Sequence, residues 1–190
     1  MTRTLAPRLA TTALTIAEDG IRGEGLLLRL PEPADLPAVA RAMADPAIRV
    51  PGNMPELDEE ALLAFHAVLP KVMSSGRMMP VVVVEEATGE LLGGANLHHL
   101  DAETSVVEIG YWLFREARGR GVATHAVRLL AEHAFTLGVQ RVEARVDVGN
   151  TDSERVLERA GFTREGVLRS CGRVDGSRCD RSVWSLLPGE

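Results

Sequence analysis

The residues with the most chemical content are Arg118-Gly119-Arg120-Gly121-Val122-Ala123-Thr124, between an apolar strand-like run and a helix-like run. A helix begins with unpaired N–H groups and a partial positive charge, so its start attracts phosphate. Gly119 and Gly121 have no Cβ, which lets a ligand oxygen come close to the backbone amides. Arg118 and Arg120 add charge where a pyrophosphate would sit. Read alone, the segment is more simply a turn with two glycines and two solvated arginines.

Spacing excludes two common phosphate loops. A Walker loop needs Lys and Ser or Thr after its glycines, and Gly121 is followed by Val122. A dinucleotide fingerprint needs a third small residue where Thr124 stands, after a buried parallel strand early in the chain. Neither condition is met.

Two side chains could move protons. Glu108 stands in an apolar strand, sharing a face with Gly110 and Trp112, with Val107, Ile109, Tyr111 and Leu113 opposite. A carboxylate there is costly unless it is bonded or functional, and burial is expected to raise its pKa toward that of a general base. Its structural alternative is an ion pair. Ser153 opens a helix and is either a cap or a donor of a hydroxyl proton. Asn150 reads likewise as a cap or as a ligand to an amide. His98 and His99 end a strand; adjacent residues face opposite ways, so at most one is expected to enter a pocket. With no other His or Cys cluster nearby, no metal site is expected.

The elements that must position these groups follow from periodicity. Gly25 to Leu30 is a strand, and Pro33 with Asp35 opens a helix that Asp45-Pro46 ends. Pro51 to Pro55 is a loop. A second helix starts near Leu57-Asp58, and Pro70 is expected to kink or shorten it. Val81 to Val84, Leu91 to His98 and Val106 to Phe114 form an antiparallel meander. Val122 to Leu137 is a helix ended by Gly138. In Arg141 to Val148, the alternation puts Val142, Ala144, Val146 and Val148 on one face and Arg141, Glu143, Arg145 and Asp147 on the other. A short helix spans Thr151 to Arg159. A C-terminal hairpin, Phe162 to Val174 and Ser177 to Leu187, turns at Asp175-Gly176. This order predicts an α/β (α+β) sandwich around one mixed sheet.

Composition bounds the function. The 190 residues suit one domain, with 45% hydrophobic and 25% charged residues and a net charge of −6. That charge argues against a nucleic-acid partner. No stretch approaches the roughly 20 apolar residues of a membrane span, and threonines interrupt the N-terminal Leu9 to Ala17, so a cytoplasmic protein with an extension over 1–22 and one domain over 23–190 is expected. Cys171 and Cys179 are expected to lie on opposite faces of the hairpin as free thiols.

Three blocks together resemble the GNAT superfamily of N-acetyltransferases, in particular the branch that acetylates ribosomal-protein N-termini. Arg118 to Ala123 resembles its Arg/Gln-x-x-Gly-x-Gly/Ala motif. Glu108 to Leu113 looks like the preceding strand. Asn150 to Ser153, followed by Val156 to Phe162, resembles the second block. The resemblance covers about Val106 to Gly166, and the element order fits from Gly25 onward. It implies a mostly antiparallel twisted sheet flanked by helices, with two central parallel strands that splay. It implies acetyl-CoA as cosubstrate, its pantetheine arm on backbone groups of Trp112, Leu113 and Phe114 and its pyrophosphate on the amides of Arg118 to Thr124. A backbone N–H near Leu113 would polarise the acetyl carbonyl.

Many members of the superfamily protonate the leaving thiolate with a tyrosine on the second-block helix. Here the one tyrosine, Tyr111, lies elsewhere, and Ser153 takes the matching place. The acceptor is expected to be a primary amine, of a protein N-terminus or a small molecule, with Glu56, Asp58, Asp101 and Glu103 available for a cationic one. A non-catalytic acyl-CoA-binding module is the alternative. The hairpin is free to pair with a second copy as a homodimer.

Overall fold

A computed structural model describes residues 13–50, 54–174 and 176–190. The expected loop residues Pro51 to Asn53, the turn residue Asp175 and residues 1–12 lie outside them. Among the described residues, eight strands and five α-helices form one mixed sheet with helices on both faces. Strands β1 (Ile21–Gly23) and β2 (Leu26–Arg29) form a hairpin at one edge. Strands β3 (Met78–Glu85), β4 (Leu91–Asp101) and β5 (Val106–Leu113) continue the antiparallel meander. Strand β6 (Arg141–Asp147) lies parallel to β5. The C-terminal strands β7 (Thr163–Val174) and β8 (Ser177–Leu186) complete the order β1-β2-β3-β4-β5-β6-β8-β7, so the last strand is interior and β7 is the edge.

The β5–β6 contact sets up everything else. Pairing runs only over Val106 to Glu108 against Arg141 to Glu143. Beyond Glu108 the two strands part and leave a cleft in the middle of the sheet. The parallel pair is joined by helix α4 (Val122–Thr136), as a parallel connection requires a crossover. Its Val122, Ala126, Val127, Leu130, Ala131 and Ala134 are buried against the core of the sheet. Burying a side chain of Leu130's size contributes about 1.5–3 kcal/mol. Helix α5 (Thr151–Arg159) packs beside α4 with Leu157 buried.

The opposite face carries α1 (Leu36–Ala44), the single turn α2 (Pro46–Arg49) and α3 (Glu59–Ser74). Ala42, Met43 and Ile48 form a small second core there with Trp112 and Phe114, whose rings meet edge-on at 5.2 Å. Arg29 locks the start of α1 to β2 through two hydrogen bonds to the buried Asp35, of 2.7 and 3.1 Å.

Some expectations are corrected. Pro70 does not stop its helix, which runs on to Ser74. Past Asp45, where the first helix ends as expected, a further helical turn follows: the Asp45 side chain accepts from Ala47 N–H and starts α2. The boundary drawn at residue 22 falls inside the β1–β2 hairpin, and Leu14, placed in the extension, is fully buried in the main core. The hairpin register pairs Cys179 with Gly172 as expected, but β7 bulges between Leu168 and Gly172 and takes Cys171 out of the ladder. Both cysteines are free thiols.

Candidate active site

Where β5 and β6 part, a cavity of about 580 Å³ opens between them, α2, the glycine loop and the first turns of α4 and α5. Trp112, Leu113, Arg118, Gly119, Gly121, Val122, Ala123, Thr124, Asn150 and Ser153 line it. Sequence reasoning missed Ala47, Ile48, Tyr111, Asp152, Arg155, Val156 and Arg159.

The glycine loop is shaped for a ligand. Gly119 and Gly121 adopt φ of 74° and 83°, the left-handed region where side chains are strained. A Cβ on Gly119 would meet nothing within 4 Å, so space stands open above it. Gly121 is the N-cap of α4, no side chain caps the helix, and its first turn holds no acid. The first amides of α4 are therefore unanswered by the protein, which is what an incoming anion needs.

The two arginines differ. Arg118 donates from Nε and Nη2 to the Leu113 carbonyl at 3.2 and 3.1 Å, which ties the loop to the end of β5. Arg120 turns away and pairs with Glu85 of β3 at 2.6 Å. It is absent from the cavity wall, against expectation, because a carboxylate 35 residues distant in sequence outcompetes the loop.

Phe114 is also misplaced by the sequence reading. Its N–H donates to the Leu92 carbonyl of β4 at 3.0 Å. In an antiparallel ladder the outward and inward pairs alternate. The backbone groups of Leu113 and Tyr111 therefore point the other way, toward the cleft.

At the far wall, Asn150 Oδ1 accepts from the Ser153 N–H at 3.2 Å and caps α5. The cap is thus Asn150, and the Ser153 hydroxyl is left without a hydrogen bond among the described residues. Tyr111 reaches across from β5 and donates its hydroxyl to the Ser153 carbonyl at 3.1 Å. Burial pushes the Tyr111 hydroxyl up to about 12, only partly offset by that bond.

Glu108 sits at the last paired position of β5, outside the cavity wall and on the Trp112 face of the sheet. His98 Nε2, His99 Nδ1 and Arg145 Nε lie 3.7, 3.8 and 3.8 Å from its carboxylate, too long for hydrogen bonds but close enough for strong charge interaction. Both histidines reach it because His99 takes φ of 54° and β4 bulges between His98 and Asp101, which cancels the alternation. Burial pushes the carboxyl up, but His98, Arg145 and His99 outweigh it and hold the pKa below the usual value. The expected upward shift is corrected accordingly. The trio His98, His99 and Glu108 brings three ligand atoms within 4.8 Å of one another, so these residues could hold a divalent ion. The expectation of no metal site rested on the lack of another His or Cys cluster nearby, and here a carboxylate is the third potential ligand.

None of the four acids offered for a cationic acceptor lines the cavity, and Glu56, Asp58 and Asp101 have local partners. Asp58 caps α3 and Asp101 closes the turn to Thr104. Glu56 stands 4.0 Å from Arg49, and the Glu103 N–H donates to Asp101.

Comparison with known proteins fixes the class. The acetyltransferase (GNAT) domain family matches residues 25–163. The N-acetyltransferase p20 of Bacillus licheniformis is 30% identical, over 88% of this chain and 95% of that one. The ribosomal-protein-serine acetyltransferase of Escherichia coli K12 is 34% identical over 101 residues, 52% of this chain and 55% of that one. The structure of Mycobacterium smegmatis RimJ, in complex with CoA-disulfide, superposes with a TM-score of 0.76 at 27% identity, covering 91% of this chain and 85% of that one. The chain belongs to the GNAT acetyltransferase family, and it is an acetyl-CoA-dependent N-acetyltransferase acting on amines. The family supports this enzymatic reading over the non-catalytic module.

Proposed function

We propose that the cavity seats coenzyme A and that Glu108 and Ser153 flank the transferred acetyl group from opposite sides of the sheet. The observation that carries this is the uncapped, acid-free start of α4 opening into the cavity beneath Gly119. The pyrophosphate lies on the amides from Gly119 to Thr124, with Arg118 beside it. The pantetheine arm follows the outward backbone groups of β5. The Leu113 N–H polarises the acetyl carbonyl.

The acceptor amine comes from the Trp112 face and attacks the carbonyl carbon, so a C–N bond forms as the C–S bond breaks. The proton lost by nitrogen passes through water to Glu108. Its neighbours keep Glu108 ionised, so it is ready at neutral pH and equally suited to seat an ammonium group. The Ser153 hydroxyl donates to the departing thiolate. A primary amine, of a peptide N-terminus or a small molecule, satisfies this chemistry.

The reading carries with it a cytoplasmic location, no nucleic-acid partner and one acetyltransferase domain that includes Leu14 and the whole β1–β2 hairpin. Strand β7, with Val167 and Leu168 exposed, is the edge on which a homodimer would form.

The test is thiol release from acetyl-CoA against a panel of amines and peptides with different N-terminal residues. Acetyl-CoA should raise the melting temperature. Glu108→Gln should lower kcat/KM by about a hundred-fold or more, the range of general acid–base catalysis. Ser153→Ala should lower kcat by about ten-fold, as expected for a lost hydrogen bond to a charged group. Full activity in both variants would remove the assigned roles.

A further inference from the structure

Strands β5 and β6 stop pairing at Glu108 and Glu143, so backbone bonds cannot set the width of the cleft beyond them. A side-chain bond does cross it. Tyr111, three residues past the last pair, donates its hydroxyl to the Ser153 carbonyl at 3.1 Å. Both residues line the cavity. From the other side Asn150 accepts the Ser153 N–H at 3.2 Å. Ser153 is thus held by side chains at its N–H and at its carbonyl, and its hydroxyl is the group left over for a ligand.

Tyr111 is the chain's one tyrosine, and it comes from β5 rather than from α5. Its buried hydroxyl keeps its proton well above the range where a free thiol titrates, about 8.5. It is therefore a poor proton source for a thiolate and a lasting hydrogen-bond donor.

We infer that Tyr111 is a positioning residue, a strut across the open part of the cleft that fixes the first turn of α5 and with it the direction of the Ser153 hydroxyl. The inference rests on the reading of Ser153 given above. Its reach is through Ser153 alone, which makes it separable from a general effect on stability.

The experiment compares the full chain with Tyr111→Phe, which removes the donor and keeps the ring. With a saturating acceptor, kcat falls about five-fold, the size expected for one net hydrogen bond, while KM for acetyl-CoA stays within about two-fold. In a Ser153→Ala background the same substitution brings no further fall, because the two act as one unit. Amide exchange at Ser153 and Glu154, whose N–H groups bond to Asn150, quickens in Tyr111→Phe. An equal fall in both backgrounds overturns the inference, as does unchanged exchange or a lowered melting temperature with unchanged kcat. If the wild-type chain moves acetyl to no amine, the catalytic reading of Ser153 fails on its own. The exchange measurement still decides whether the strut exists.

Discussion

Two helices begin at the same cavity and treat their first amides in opposite ways. Helix α4 starts at a left-handed glycine, Gly121, with no side-chain cap and no acid in its first turn. Helix α5 starts at Asn150, whose side chain accepts from Ser153, and carries Asp152 and Glu154 in its first turn. The positive end of α5 is answered from within the protein, whereas that of α4 is left for a ligand. The two starts thereby differ in what they offer a ligand: open amides at α4, and at α5 amides already bonded, with Asp152 paired to Arg155 at 3.3 Å. The α5 side meets a bound molecule with a fixed backbone and with side chains.

The contrast can be erased. Gly121→Asp would give α4 its own acidic cap, in a backbone conformation that Asp tolerates better than most residues. The dissociation constant for acetyl-CoA should rise by about a hundred-fold or more, equivalent to ~2.7 kcal/mol. Acetyl-CoA should then cease to raise the melting temperature at concentrations that stabilise the wild type. Binding within a few-fold of wild type would mean that the α4 amides are not the seat of the pyrophosphate.

A smaller effect comes from the other helix. Asn150→Ala should cost about 1 kcal/mol of stability, the usual value of a cap. It should lower kcat more than it raises KM for acetyl-CoA, since Ser153 loses one of its two anchors. A change in KM as large as that of Gly121→Asp would dissolve the distinction between the two helix starts.

The subtlest check is optical. With one tyrosine in the chain, tyrosinate absorbance reports on Tyr111 alone. In the folded protein it should appear with a midpoint of about 12, against 10.0 for an exposed phenol. Because the folded value is raised, the stability tied to this burial is present below pH 10.0 and is lost as pH climbs toward 12. A midpoint near that of free tyrosine would show the α5 wall open to water.

Much of this was legible in the residues. The alternation of Val142, Ala144 and Val146 against Arg141, Glu143 and Arg145 is a strand with one buried face, and the structure has it so up to Asp147; Val148, expected on the buried face, lies past the strand end and is exposed. The glycines before Val122 announced an uncapped helix start. What escaped was set by distance along the chain or by single backbone angles. Arg120 looked like a phosphate ligand until Glu85 was placed beside it. His98 and His99 looked opposed, because period two holds only while every residue is extended, and His99 is not. Tyr111 and Ser153, 42 residues apart, meet through a tertiary contact that no local pattern encodes.

The strand order has a consequence for how this protein is made. Strand β6 forms one lip of the cleft, and its other edge is covered by β8, Ser177–Leu186, not by its neighbour in sequence, β7. A nascent chain that has emerged as far as α5 holds the glycine loop, Ser153 and Tyr111, yet β6 still has an uncovered edge. Pairings this distant in sequence form late. The cleft can take its final shape only after translation has passed Leu186, so this protein's capacity to hold its cosubstrate waits for a strand made well after the residues that touch it.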